Sequence, residues 1–259
     1  MRFSTSLYPF LAFTSFTTLE HIHKTGTLHR DISVPNIMID AAGSGQLADF
    51  DLAREEAARQ PTHAASLYFY SCVLNQLLTA IFQGTWQFIS TARLLDPNKR
   101  CEVSDVLESL FFVILYEGIH WVTHNKPTLD PRYLFDEART YAGGSRIIGG
   151  NGKFRMYTFS PHMDAVLHKL RFERSPPFAD LLRELFLLFE SLAIVSRNKK
   201  SGEKSQDQDA SNVEKLENYR VVIQLMKNAV ERVDWPEEHD KALSDNYPDD
   251  RGVCWDLTG

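Results

Sequence analysis

His29-Arg30-Asp31-Ile32-Ser33-Val34-Pro35-Asn36, followed downstream by Asp49-Phe50-Asp51, is the stretch that decides how this chain is read. It sets out an Asp, an Asn five residues on and a second Asp, the order that a phosphoryl-transfer site uses. Asp31 is placed to accept a proton from an attacking hydroxyl. Asn36 and Asp49 offer oxygen ligands to a hard divalent cation held between phosphates. Arg30 is placed to pair with a negative charge on the segment that follows, so phosphorylation there would order a loop. His29 reads as a structural ring that packs and hydrogen-bonds to hold the loop.

Outward from this stretch, Thr17–Lys24 reads as a short helix stopped by Gly26. Asn36–Ile39 and Gln46–Ala48 read as two short strands joined by a Gly-containing turn, a hairpin that brings Asn36 and Asp49 to one metal. Val103–Val122 is an apolar helix suited to the centre of a helical body, with Ser104 as its cap and Asp105 in its first turn. Pro161–Phe172 and Pro177–Val195 read as amphipathic helices. Residues 196–213 are polar and charged and read as a disordered linker, and 214–259 as a last helix (Glu214–Val233) with an acidic tail.

Composition narrows the classes. The chain has 259 residues, 43% hydrophobic and 12% aromatic, enough for a packed core. A net charge of -6 argues against an electrostatic nucleic-acid binder. Cys72, Cys101 and Cys254 are scattered, which fits reduced thiols of a cytoplasmic or nuclear protein. Met1–Phe16 lacks a cleavage site of signal-peptide type, and Leu67–Phe82 is shorter than a bilayer span and carries Asn75 and Gln76, so no membrane role is expected. The histidines lack a carboxylate or cysteine set that would complete a zinc site. The glycines of 143–152, with Lys153 after them, lack phosphate-loop spacing and read as a surface turn.

With these residues in view, the chain resembles the protein kinase superfamily, and most closely the fungal-type protein kinases. The matching pieces are LHRDISVPNIMID (Leu28–Asp40), GQLADFDLAR (Gly45–Arg54), GTWQFIS (Gly84–Ser90) and DVLESLFFVI (Asp105–Ile114). The resemblance implies a mainly α fold, a kinase-like C-terminal lobe over residues 17–195 with a small β-hairpin at the catalytic cleft. It implies Asp31 as catalytic base, with Arg30 and Ser33 beside it in the catalytic loop. Ser33 stands where many kinases carry a phosphate-touching Lys. It further implies Asn36 and Asp49 as Mg²⁺ ligands on ATP, and Gly84 and Thr85 as positioners of a substrate hydroxyl. His29 and Asp105 are the implied structural supports, Asp105 by bonding the catalytic-loop backbone.

The departures matter equally. Asp51 replaces the Gly of Asp-Phe-Gly and removes a hinge. Thr91 and Ala92 stand where a Pro-Glu usually follows, which removes the familiar Glu–Arg anchor of that segment. No glycine-rich loop or strand Lys precedes His29, so the N-terminal lobe is expected to be absent and the product truncated, with weak or no activity. Residues 1–16 are expected to be irregular or spurious. Residues 55–83 form an atypical apolar insertion, either translated intron or a helical insertion on the lobe. The expected partners are ATP and a protein substrate carrying Ser or Thr, and a protein covering the surface where an upper lobe would sit. Two other readings stay open: a non-catalytic pseudokinase acting as a binding module, and a small-molecule phosphotransferase of the aminoglycoside type.

Overall fold

The computed structural model describes residues 16–39, 45–55, 85–96, 98–125, 132–136, 138–140, 147–157, 170–172 and 174–236. Gly84, nearly all of the 55–83 insertion, residues 1–15, most of Pro161–Phe172 and the tail beyond Pro236 lie outside them. The described part is mostly helical, with three two-stranded antiparallel sheets among the described residues. Among the described residues no helix is long and apolar enough to cross a membrane.

The chain enters through α1 (Phe16–Thr25), which buries Ile22 and closes at Gly26. Strand β1 (Thr27–Leu28) leads into the catalytic-type loop. A 3-10 turn (Val34–Asn36) follows, set up by Pro35, and then β2 (Ile37–Ile39) pairs with β3 (Gly45–Leu47) in the register Ile37↔Leu47. The expected hairpin is therefore present. Its open end joins Asn36 to the residue before Asp49, through the Ala48 N–H donating to the Asn36 carbonyl at 2.8 Å. Strand β4 (Arg54–Glu55) returns to pair with β1. The loop and the Asp-Phe-Asp segment are thus fastened at both ends.

Beyond the insertion come a 3-10 turn (Trp86–Phe88), α2 (Thr91–Leu95) and α3 (Val103–Trp121). Leu107, Phe112, Val113, Ile114 and Ile119 of α3 are 0% exposed, so this helix forms the centre of the core, as its run of apolar residues predicts. Its N-cap is Glu102, not Ser104. The Glu102 N–H donates to the Asp105 carboxylate at 2.8 Å, so Asp105 closes the first turn backwards while Ser104 already lies inside the helix.

Helix α4 (Arg132–Phe135) and helix α5 (Asn151–Tyr157) pack on α3 through Phe135 against Phe112 and Tyr157 against Phe111, and between them in the chain β5 (Ala138–Thr140) pairs with β6 (Ile147–Gly149), which lies against α2. Helix α6 (Pro176–Ser201) crosses α3 at a close contact. A Cβ on Gly118 would sit 2.3 Å and 2.6 Å from ring atoms of Phe178, itself 0% exposed. Gly118→Ala should therefore destabilise the fold by about 1–3 kcal/mol, outweighing the ~1 kcal/mol that Ala gains in helix propensity. Thermal melts should show this, with part of the loss recovered when Phe178→Leu is added.

Two expectations for the C-terminal part are corrected. Residues 196–213 do not form a structureless linker: α6 runs on to Ser201, Gly202 ends it in the left-handed conformation (φ 76), and α7 (Asp207–Glu214) follows. The polar side chains that suggested disorder pair across the two helices. The Ser191 hydroxyl donates to Asp209 at 2.9 Å, and Asn212 donates to Ser191 at 3.0 Å. The last helix, α8 (Arg220–Val230), begins six residues later than expected, after a turn at Lys215–Tyr219. Leu216, Tyr219, Val222 and Met226 join the same core as Ile22 and Phe189, so this helix packs on the body instead of standing apart.

Candidate active site

Among the described residues, the non-glycine residues with positive φ are Arg30 (φ 73) and Asp49 (φ 58). Each costs about 1 kcal/mol or more against an ordinary backbone, and strain of this kind collects where a side chain must be aimed. Both lie in the motifs singled out above. The left-handed turn at Asp49 puts its carboxylate at the exposed mouth of the hairpin, and its Oδ1 accepts from the Asp51 N–H at a long 3.5 Å.

Asp31 is held from two sides. Its Oδ1 accepts from the Thr85 N–H at 2.7 Å and from the Thr85 hydroxyl at 2.9 Å, across 54 residues of chain. Its Oδ2 accepts from Asn36 Nδ2 at 3.1 Å. The same Nδ2 donates to the Asp31 carbonyl at 3.0 Å. A carbonyl only accepts, so this bond fixes which end of the Asn36 amide is nitrogen. Oδ1 of Asn36 is left as the end that can serve a cation.

His29 ties these two halves together. Its Nε2 meets the Ala48 carbonyl at 2.9 Å, and the Asp31 N–H meets Nδ1 at 3.4 Å. An acceptor on one side and a donor on the other specify the neutral ring with the proton on Nε2. The ring also packs edge-on against Phe50, with centroids 4.6 Å apart. Desolvation lowers the His29 pKa below 6.5, outweighing the Ala48 bond and the Asp31 and Asp49 charges that favour the cation. The folded state then binds fewer protons than the unfolded chain just below pH 6.5, so this contribution is intact above pH 6.5 and lost as pH falls through the folded pKa. The His29 ring should titrate below 6.5 by NMR, and His29→Asn should flatten part of the decline in melting temperature on acidification.

The other residues singled out by sequence are placed less directly. Arg30 is 7% exposed. Burial lowers its pKa, and Cys101, Arg93 and Arg54 are the charged or polar groups that act on it. Ser33 is 1% exposed and turns the loop through its carbonyl, which accepts from the Asn36 N–H at 3.1 Å, while its buried hydroxyl has no hydrogen-bond partner among the described residues. Asp105 does not bond the catalytic-loop backbone. It accepts from the Ser90 hydroxyl at 2.6 Å, from Glu102 N–H and from Lys99 Nζ at 2.5 Å, and so supports the segment after Thr85. Thr85 donates its hydroxyl to Asp31 at 2.9 Å, while Gly84 is outside the described residues.

Two residues escaped sequence reading. Lys153, placed there in a surface turn, is 1% exposed on α5, and its Nζ donates to the carbonyls of Gln87 at 2.7 Å and Ile89 at 2.8 Å. Glu108 on α3 is 3% exposed and accepts from Thr91 N–H at 3.1 Å and the Thr91 hydroxyl at 2.8 Å. For Glu108 a signal existed: an acid inside so apolar a helix needs a partner. For Lys153 the signal was weaker, a Lys flanked by Phe154, Met156 and Tyr157 at helical spacing.

Comparison with known proteins finds sequence similarity over the residues that build this site. Residues 14–117 match the model of the family described as fungal protein kinase. The ribosomal protein S6 kinase beta of Caenorhabditis elegans is 37% identical over 138 residues, covering 47% of this chain and 21% of that protein. Cyclin-dependent kinase 14 of Callithrix jacchus is 27% identical over 134 residues, covering 42% of this chain and 30% of that protein. The chain thus spans less than a third of the length of either relative. Residues 14–117, which carry Asp31, Asn36, Asp49 and Thr85, are similar in sequence to the protein kinases and, within them, to the fungal protein kinases.

Proposed function

We propose that Asp31, Asn36 and Asp49 form the catalytic-loop side of a kinase site in a C-terminal-lobe fold, one that transfers the γ-phosphoryl group of ATP to a Ser or Thr hydroxyl of a protein. The observation that carries this reading is the doubly held carboxylate of Asp31. Asn36, five residues on in the same loop, holds one oxygen, and Thr85, brought from 54 residues away, grips the other. In phosphoryl transfer the protein mostly positions reactants and neutralises charge, so an oriented carboxylate is what the nucleophile needs.

In this reading Asp31 orients and deprotonates the incoming hydroxyl, and Thr85 keeps its carboxylate from rotating. Asn36 and Asp49 are the residues that would hold Mg²⁺. They supply hard oxygen donors, one amide oriented by its own hydrogen bonds and one exposed carboxylate, which fits a cation that takes its remaining ligands from phosphates and water. Bound there, Mg²⁺ would neutralise charge on the phosphates. Ser33, 1% exposed, is assigned to loop shape through its carbonyl and given no contact with the phosphate.

The test is transfer of labelled γ-phosphate from ATP to peptide mixtures carrying a single Ser, Thr or Tyr acceptor, with Mg²⁺ present. Labelling of Ser or Thr peptides that disappears on chelation of the metal is the expected result. A second reading, a non-catalytic binding role for the same surface, is favoured by the exposure of Phe50 (44%) and Met38 (52%) beside the site. No labelling of any acceptor, with a folded chain, would favour that reading.

A further inference from the structure

The segment that brings Thr85 to Asp31, residues 85–91, contains no acidic side chain of its own. Side chains of the body hold it instead, Asp105 of α3 among them through the Ser90 hydroxyl at 2.6 Å. The segment's polar backbone is met at three points by two buried, ionisable side chains. Lys153 Nζ, on α5, takes the Gln87 and Ile89 carbonyls at 2.7 Å and 2.8 Å. Glu108, on α3, takes the Thr91 N–H and hydroxyl at 3.1 Å and 2.8 Å. The aliphatic and aromatic surroundings close over them, with Nζ of Lys153 lying 4.2 Å from the centre of the Phe112 ring.

From this we infer that Lys153 and Glu108 are positioning residues for catalysis, a two-point clamp that holds residues 85–91 so that Thr85 stays on Asp31. The inference rests on the phosphoryl-transfer reading for its consequence but not for its geometry. Both charges come from helices of the body, and the segment meets them only with backbone groups and one hydroxyl. Burying a Lys and a Glu is costly, and apolar residues of similar volume would often stabilise such a place more. Desolvation draws Lys153 below its ordinary value, against the Glu108 and Asp136 charges, and pushes Glu108 above its own, against the Thr91 bond and the Lys153 charge. A core filled only for packing would have little use for this pair. A segment whose carbonyls and N–H must be held in register does.

Gly150 makes the Lys153 half possible. It turns from β6 into α5 at φ 80, where a side chain is strained, and a Cβ there would lie 2.9 Å from Leu94 Cβ. The tight passage sets the first turn of α5 against α2, so that a Lys three residues on reaches the carbonyls beneath.

Hydrogen exchange on the full chain tests the clamp directly. In Lys153→Met, amides of residues 85–93 should exchange at least about tenfold faster while those of α3 keep their protection, because the opening is local. Should Lys153→Met unfold the chain, Glu108→Gln serves instead, since it keeps shape but removes one acceptor from Thr91. Unchanged exchange at 85–93 overturns the inference, and so does an equal rise across 85–93 and α3, which would make the pair ordinary packing. With an active chain, either variant should lower kcat/KM for a peptide by about a hundredfold with KM for ATP within about twofold of the parent. An equal weakening of ATP use would contradict a positioning role. If the unsubstituted chain transfers no phosphate, the phosphoryl-transfer reading fails on its own, and the exchange comparison still decides the clamp.

Discussion

Asp31→Asn is expected to lower phosphoryl transfer to a peptide hydroxyl by about 10²–10⁴-fold, the usual worth of a positioned general base. The substitution is chosen because Asn keeps the shape and one acceptor for Thr85, which donates both its N–H and its hydroxyl to the same oxygen. The melting temperature should therefore change little while the rate collapses. Thr85→Val separates the two roles further. It removes the hydroxyl donor but keeps the N–H, so the carboxylate gains rotational freedom without losing basicity. A milder loss, about tenfold, is expected from such a misalignment. Rate assays of the two variants beside thermal melts check the ordering. Equal losses in both would mean that Asp31 acts through position alone.

Asp49→Asn is expected to abolish most of the stabilisation that Mg²⁺·ATP confers. A ligand that binds only the folded state raises the melting temperature by linkage, so the shift reports the affinity. Removing one anionic oxygen from a site with few protein ligands should weaken metal-dependent nucleotide binding by about a hundredfold or more. Asn is the appropriate replacement because Asp49 sits at φ 58, a left-handed conformation that Asn tolerates. The backbone turn and the His29 bond to the Ala48 carbonyl should both survive. Melts with and without Mg²⁺·ATP are the measurement. An unchanged shift in the variant would remove Asp49 from the metal's ligands.

The loop and hairpin were legible in the sequence because short-range chemistry specifies them. Pro35 sets the 3-10 turn, Ile37 and Leu47 pair in two strands close in sequence, and His29 precedes the Asp it orients. The central helix was equally plain, since a run such as Leu110–Leu115 has no place except a core. What could not be read is what depends on residues far apart in the chain. The Thr85–Asp31 contact spans 54 residues, and nothing in the local sequence announces it.

Residues 197–212 were misread because their polarity suggested solvent. Ser191, Asp209 and Asn212 in fact satisfy one another between α6 and α7, which local composition does not reveal. Asp105 was assigned the catalytic-loop backbone by resemblance, yet it bonds Ser90, Glu102 and Lys99. Its carboxylate is spent on capping its own helix and on the segment beyond Thr85. Lys153 was hidden for a related reason. Its partners are backbone carbonyls more than sixty residues upstream, which no side-chain motif announces.

The central claim is that Asn36 and Asp49 hold one divalent cation with ATP, beside Asp31. Mn²⁺ added with ATP to the ¹⁵N-labelled full chain tests it most directly, because a paramagnetic ion broadens signals only near its seat. The account predicts selective loss of the Asn36 side-chain amide signal and of the amides of residues 48–51, with α7 (Asp207–Glu214) unaffected. Signals that persist at Asn36 and 48–51, or that broaden equally in α7, would contradict it.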